Sequence, residues 1–302
     1  MQIISWIIST LLQWYVWMPI VAVLMFLTWR NYRKIEDFTP VESVLLILEI
    51  PRTNDKQELA AEQLFASLHG ILRDNKELRL SGGHQEHISF EIASVNGQIR
   101  FYVWVPKTLQ SFVEGQIYSQ YPTVQIHQAD EDYTEHERNH EVAYSTELTL
   151  TTDEFLPIRT FQNFEVDPLA GITGTLAKLE TTGEELWIQV LVRPIPDDWQ
   201  NAADRYINSI RNGRMFSLPG FGGSMQWLIG VLGALWQPPE QGVGQSTKIE
   251  LSDRDKTRIS EAEKKATKLG YEVKIRLVYM GESQTNAKLR MQALVGTFKQ
   301  FN

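Results

Sequence analysis

A chain of 302 residues, 43% of them hydrophobic, is long enough to bury two ordinary cores. It contains no cysteine, which excludes disulfides and any thiolate-based metal or nucleophile chemistry. Its net charge of −8 argues against a general nucleic-acid-binding surface, which needs clustered Lys and Arg to displace counterions, and no direct nucleic-acid binding is expected.

The chain opens on an apolar run. From Ile3 to Trp29 there is no charged residue, and then Arg30, Arg33 and Lys34 arrive together. A helix rises about 1.5 Å per residue, so about 20 residues cross a hydrocarbon core about 30 Å thick. Residues 1–35 are therefore expected to form a transmembrane anchor in contact with membrane lipid. Positive charge follows the run and does not precede it. The positive-inside rule then gives a single-pass inner-membrane protein, N-terminus outside and body in the cytoplasm. A cleaved signal peptide would need a basic leading segment and a small-residue cleavage site, and neither is present.

Residues 40–130 read as a first α+β domain. Val44 to Ile50 is a short apolar strand closed by Pro51. Leu64, Phe65, Leu68, Ile71 and Leu72 then recur at helical spacing. Ile88, Phe90 and Ile92 alternate with polar residues, Asn96-Gly97 supplies a tight turn, and Ile99, Phe101, Val103 and Val105 alternate on the way back. A helix stripe at Leu109, Phe112, Val113 and Ile117 and a strand at Val124 and Ile126 complete a β-α-β-β-α-β order, the ferredoxin-like arrangement.

Residues 131–143 are acidic and polar and read as a linker. A second ferredoxin-like domain is expected over 144–282. Its strands are placed at Leu148–Leu150, Leu186–Val192, Ile249–Leu251 and Tyr271–Tyr279. Its helices are placed at Leu169–Leu179, after Pro168, and from Ser252, whose hydroxyl with Asp255 resembles a capping box. Residues 195–245 interrupt its central hairpin. Within them Met215 to Pro239 carries no charge and five glycines, and it reads as a membrane-surface contact, an apolar loop packed on a partner or the body, or a second membrane span. Residues 283–302 read as a helix. Its apolar stripe of Met291, Leu294, Phe298 and Phe301 is expected to need a cover, leading to a further or separate module.

Candidate chemistry is sparse. His136-Glu137-Arg138-Asn139-His140 spells H-E-x-x-H, which on a helix places two zinc ligands on one face beside a general base. Its surroundings, DEDYTEHERNHEV, are those of a solvated linker and not of a buried metalloprotease helix. A membrane-bound zinc hydrolase using His136, Glu137 and His140 is the alternative to a non-catalytic chain. Gly171-Ile172-Thr173-Gly174 lacks the Lys of a phosphate loop. His84 and His87 read as surface residues. Phe101, Tyr102, Trp104 and Tyr118 suit a sheet core better than a base-stacking platform, since few basic residues accompany them. No catalytic, cofactor-binding or metal site is assigned, and no cofactor is expected.

Three stretches carry a family resemblance: FYVWVPKTLQSFVEGQIYSQYP from Phe101, FLPIRTFQNFEVDPLAGI from Phe155 and EELWIQVLVRP from Glu184. Together they resemble a membrane-anchored N-terminal region of small-genome uncultured bacteria. In that family the region precedes a type IV secretion or conjugation-type coupling ATPase. The resemblance implies a non-catalytic anchoring and assembly region, working with a P-loop translocation ATPase in cis or in trans as a homo-oligomeric ring. The nucleotide-binding module itself has no counterpart in these residues. A stand-alone membrane-tethered scaffold is the remaining alternative.

Overall fold

The computed structural model describes residues 14–36, 41–51, 59–80, 83–135, 140–179, 183–211 and 252–301. The helices are α1 (Trp14–Glu36), α2 (Leu59–Leu68), α3 (Asn75–Leu80), α4 (Gln110–Gln120), α5 (Leu169–Ala177), α6 (Gln200–Arg211), α7 (Asp253–Ala266) and α8 (Gln284–Phe298). The strands are β1 (Ser43–Glu49), β2 (Ile88–Val95), β3 (Gln98–Pro106), β4 (Gln125–Gln128), β5 (Val142–Leu148), β6 (Glu185–Ile195) and β7 (Gly270–Gly281). The chain divides into two units, one of residues 1–42 with 74–84, the other of residues 43–73 with 85–302.

The smaller unit contains α1 and α3. Along α1, Trp17, Met18, Val21, Val23, Leu24, Met25, Phe26 and Trp29 are each at least half exposed, and Ile20 and Leu27 are exposed as well. These positions fall on every side of a helix, so α1 has no polar face until Arg30. Among the described residues no helix is long and apolar enough to cross a membrane. Trp14 to Trp29 spans about 22 Å of helix axis, short of a hydrocarbon core of about 30 Å. The earlier part of the uncharged run, residues 1–13, lies outside the described residues. Helix α3 starts on a reciprocal cap. Asp74 Oδ1 accepts from the backbone N–H of Lys76 and Glu77, and Glu77 Oε2 accepts from the Asp74 N–H at 3.1 Å.

The larger unit is α+β and is built on one antiparallel seven-stranded sheet in the order β4-β1-β3-β2-β6-β7-β5. Alternation in the sequence assigns the two faces. Val44, Leu46, Ile88, Val103, Val105 and Val192 point to one side, where Leu64, Leu68, Val113 and Ile117 of α2 and α4 cover them. On the same side Leu186, Ile188, Leu277 and Tyr279 are covered by Ile172, Leu176, Ala287, Met291 and Leu294 of α5 and α8. Val190 packs against both clusters. The turn between β2 and β3 has positive φ at Asn96 (51°) and Gly97 (73°), as an Asn-Gly hairpin requires.

Several expectations change. The two runs of strands and helices are not separate sheets, because β2 pairs with β6 along Ile88–Ser94 and joins them. The first strand after the acidic stretch is Val142–Leu148, and Leu150 is exposed beyond it. The apolar stripe of α8 does not await a cover: Ala287, Met291 and Leu294 are buried beneath the sheet, and Phe298 packs beside them. The sequence shows that stripe as apolar but cannot show that the fold turns it inward. The expected strand at Ile249–Leu251 and the uncharged stretch Met215–Pro239 lie outside the described residues. Ser252 caps α7, its hydroxyl accepting from the Asp255 N–H at 3.2 Å.

The connection from β4 to β5 joins opposite edges of the sheet. It must therefore cross the face that the helices leave open.

Because Val190 belongs to both cores, they should melt together. Leu46→Ala and Leu277→Ala, each removing a fully buried side chain, should cost about 2–5 kcal/mol apiece. Each should shift one and the same denaturant transition, read identically by circular dichroism and by tryptophan fluorescence. Two resolved transitions would show that the halves are independent.

Candidate sheet-face site

The open face is built by the other half of the strand alternation. One row crosses the whole sheet by direct register: His127, Ile47, Tyr102, Glu91, Gln189, Arg276 and Glu147. A flanking row places Leu45, Trp104, Ser89, Leu191 and Lys274 side by side. The face thus mixes aromatic rings with charged and amide groups, where the helix-covered face is almost wholly apolar.

Tyr133 of the crossing connection is pressed onto the middle of this face and is only 3% exposed. Its ring lies 4.8 Å from Tyr102 and meets Trp187 edge-on at 4.9 Å. Its hydroxyl donates to Glu91 Oε2 at 2.5 Å and accepts from Gln189 Nε2 at 3.0 Å. One phenol thereby ties the strap to β2 and β6 together. The strap turns locally on Asp132, whose Oδ1 accepts from the Thr134 N–H and hydroxyl.

Burial holds the Glu91 carboxyl above its ordinary value, and the hydrogen bond from Tyr133 pulls the other way without winning. Burial, together with the neighbouring Glu91, also pushes the Tyr133 phenol far up, so it stays protonated and keeps donating.

Beside the strap lies a groove of about 560 Å³ lined by His87, Trp104, Trp187, Gln189, Glu91, Asp132, Ser145 and Arg276. His87 stacks on Trp104 with ring centroids 4.8 Å apart. Trp187 Nε1 donates to Glu185 Oε2 at 3.1 Å, and His140 Nε2 lies 3.7 Å from Glu185 Oε1. The chemistry on offer is recognition: flat rings for stacking, an amide, and the Arg276 guanidinium.

Of the H-E-x-x-H residues, His136 and Glu137 lie outside the described residues, and His140 sits against Glu185 at the sheet. Among the described residues no group of three His, Cys, Asp or Glu side chains is placed to hold a metal ion. Gly171 to Gly174 lies inside α5, with Ile172 buried in the core. Phe101 faces the helices, while Tyr102 and Trp104 face the strap, and Tyr118 is exposed on α4. His87, expected at the surface, is half-buried against Trp104. The acidic stretch is not a free linker, because Tyr133 anchors it. The one available signal was a single aromatic ring among the acids of Asp130-Glu131-Asp132.

Tyr133→Phe should cost about 1–3 kcal/mol by leaving Glu91 and Gln189 short of a partner, and should speed amide exchange or proteolysis over residues 129–135. Glu91 gives a pH signature. Its folded value is raised, so from the ordinary value of 4.5 upward the folded chain holds a proton that the unfolded chain has lost. Stability should fall with pH through that window and level off above the folded value. Glu91→Gln, which keeps an acceptor for Tyr133, should flatten this fall, as read from Tm against pH for both proteins.

No curated protein and no solved structure matches the chain. A family model described as "Domain of unknown function (DUF8128)" matches residues 38–302, which takes in the whole sheet, the strap and every helix of the larger unit. The chain therefore belongs to the DUF8128 family, with α1 preceding the shared domain.

Proposed function

We propose that this protein is a non-catalytic, membrane-anchored assembly module of a type IV secretion or conjugation-like translocation ATPase. The observation that carries the membrane part is α1. Its side chains from Trp17 to Trp29 are uncharged, all but Thr28 apolar, and exposed around the full circumference, and Arg30, Arg33 and Lys34 follow at once. An apolar helix without a polar face needs an apolar environment. The charge step supports a cytoplasmic side for the DUF8128 domain.

The motor part rests on the three resembling stretches. They lie on β3 with α4, on the loop leading into α5, and on β6, and β3 and β6 are interior strands of the sheet. The strand order β4-β1-β3-β2 fits a ferredoxin-like unit, and β6-β7-β5 repeats the same order without its fourth strand. Such a domain offers sheet and helix surface for holding copies and a motor near the membrane. The groove on the open face suits a binding role, with stacking rings and a guanidinium at its rim.

The full chain, expressed with a reporter at its C-terminus, should sediment with membranes after alkaline carbonate washing. The reporter should be active inside the cell. Leu24→Lys, placing a charge in the apolar part of α1, should release about half or more of the protein to the soluble fraction, since a central Lys costs about 3 kcal/mol. The tagged full chain should also retain a P-loop translocation ATPase from its own cells. A soluble wild-type chain would overturn the anchor, and retention of no such ATPase would overturn the motor assignment.

A further inference from the structure

The two edges of the sheet are treated differently. In the first half, β1 has β4 on its outer side, paired over Leu46–Glu49. In the second half, β5 occupies the place equivalent to β1, and its one partner in the sheet is β7. Among the described residues, no backbone hydrogen bond links β5 to anything except β7. Ala143, Tyr144, Ser145 and Glu147 are exposed. Exposed edges of natural sheets are blunted by charge, proline, bulges or brevity. The β4 edge follows that rule at four residues. The β5 edge is seven residues long, has no proline, and is uncharged from Val142 to Thr146.

We propose that the β5 edge is a self-association surface, where β5 of a second copy pairs antiparallel about a two-fold axis at Ser145. The chain already makes this kind of contact internally. β2 and β6, the second strands of the two halves, join edge to edge and antiparallel over seven residue pairs. Ser145 is the midpoint of β5, so centring there pairs all seven residues, Val142 with Leu148 and Tyr144 with Thr146. A centre on a residue also keeps each side chain on its own face, because the side-chain period is two. Tyr144 then meets a β-branched partner, a favourable cross-strand pair. Glu147 meets Ala143 and not another Glu147. It is already neutralised by Lys274 and Arg276 at 3.5 Å each. The result is one sheet continuous through two copies, with α2, α4, α5 and α8 of each copy on the same side.

This contact deepens the assembly role proposed above, and the two fail separately: ATPase retention tests the motor, and the following tests the copy. The absence of native cysteine makes the register directly readable. In the full chain purified in detergent, Ser145→Cys should form a covalent dimer under mild oxidation, because directly opposed residues have Cα atoms about 4.5–5.5 Å apart. Ala143→Cys should not, since its counterpart lies about 13 Å away, four residues along the strand. Ser145→Lys, placing like charges opposite each other, should weaken the dimer about tenfold or more in light-scattering titrations. An unchanged Tm would show that the body still folds. A monomeric wild-type chain, equal cross-linking at 143 and 145, or a dimer indifferent to Ser145→Lys would overturn the proposal. Capture of a foreign strand at this edge would overturn it in favour of a different partner.

Discussion

Between Ile88–Ser94 and Leu186–Val192, seven residue pairs bring two half-sheets together into one. Without this pairing each half would carry an additional open edge and a core closed on fewer strands, a poor basis for independent stability. With it, Val190 packs into both clusters, and Glu91 comes to lie directly across from Gln189. The hydrogen bonds that hold Tyr133 come one from each side of this seam. The strap, the groove beside it and the continuity of the core all follow from a single inter-strand register.

Much of the scaffold was legible. Alternation at Ile88–Ile92, Ile99–Val105 and Leu186–Val192 assigned strands because a period of two is hard to imitate by chance over such lengths, and Asn96-Gly97 fixed the hairpin. Periodicity says which face a residue occupies and nothing about which edges meet. The joining of β2 to β6, separated by about a hundred residues, was therefore invisible. The same limit hid the burial of Met291 and Leu294, whose spacing is identical whether the stripe meets a sheet or a partner. The candidate site was harder still. Glu91 sits at a polar position of an alternating strand, where a solvated side chain is the ordinary outcome. Its burial comes from Tyr133, contributed by a stretch whose composition reads as solvated.

Two of the buried glutamates, Glu184 and Glu91, show how partners decide what a carboxylate costs. Glu184, 6% exposed, accepts from Tyr279 at 2.7 Å, from Asn286 at 3.1 Å and from the Arg290 guanidinium at 3.1 Å, so its charge is both bonded and balanced. Glu91 is buried as deeply and has a phenol in place of a guanidinium, and burial holds its carboxyl above the ordinary value. The first arrangement fastens α8 to the start of β6, a fixed joint. The second fastens the strap to the sheet centre, with Glu91 as acceptor.

The strap also acts as a measure of contour length. Crossing from β4 to β5 spans six inter-strand gaps, about 29 Å at about 4.8 Å each. The fourteen backbone steps from Gln128 to Val142 reach about 46–50 Å when fully drawn out. About three fifths of that reach is consumed by the traverse alone, before the detour that seats Tyr133. Losing four residues would leave about 33–36 Å, too little slack for both the crossing and the tyrosine. The segment should therefore tolerate insertions, which are absorbed as slack, far better than deletions, whatever the identity of the residues that serve only as length.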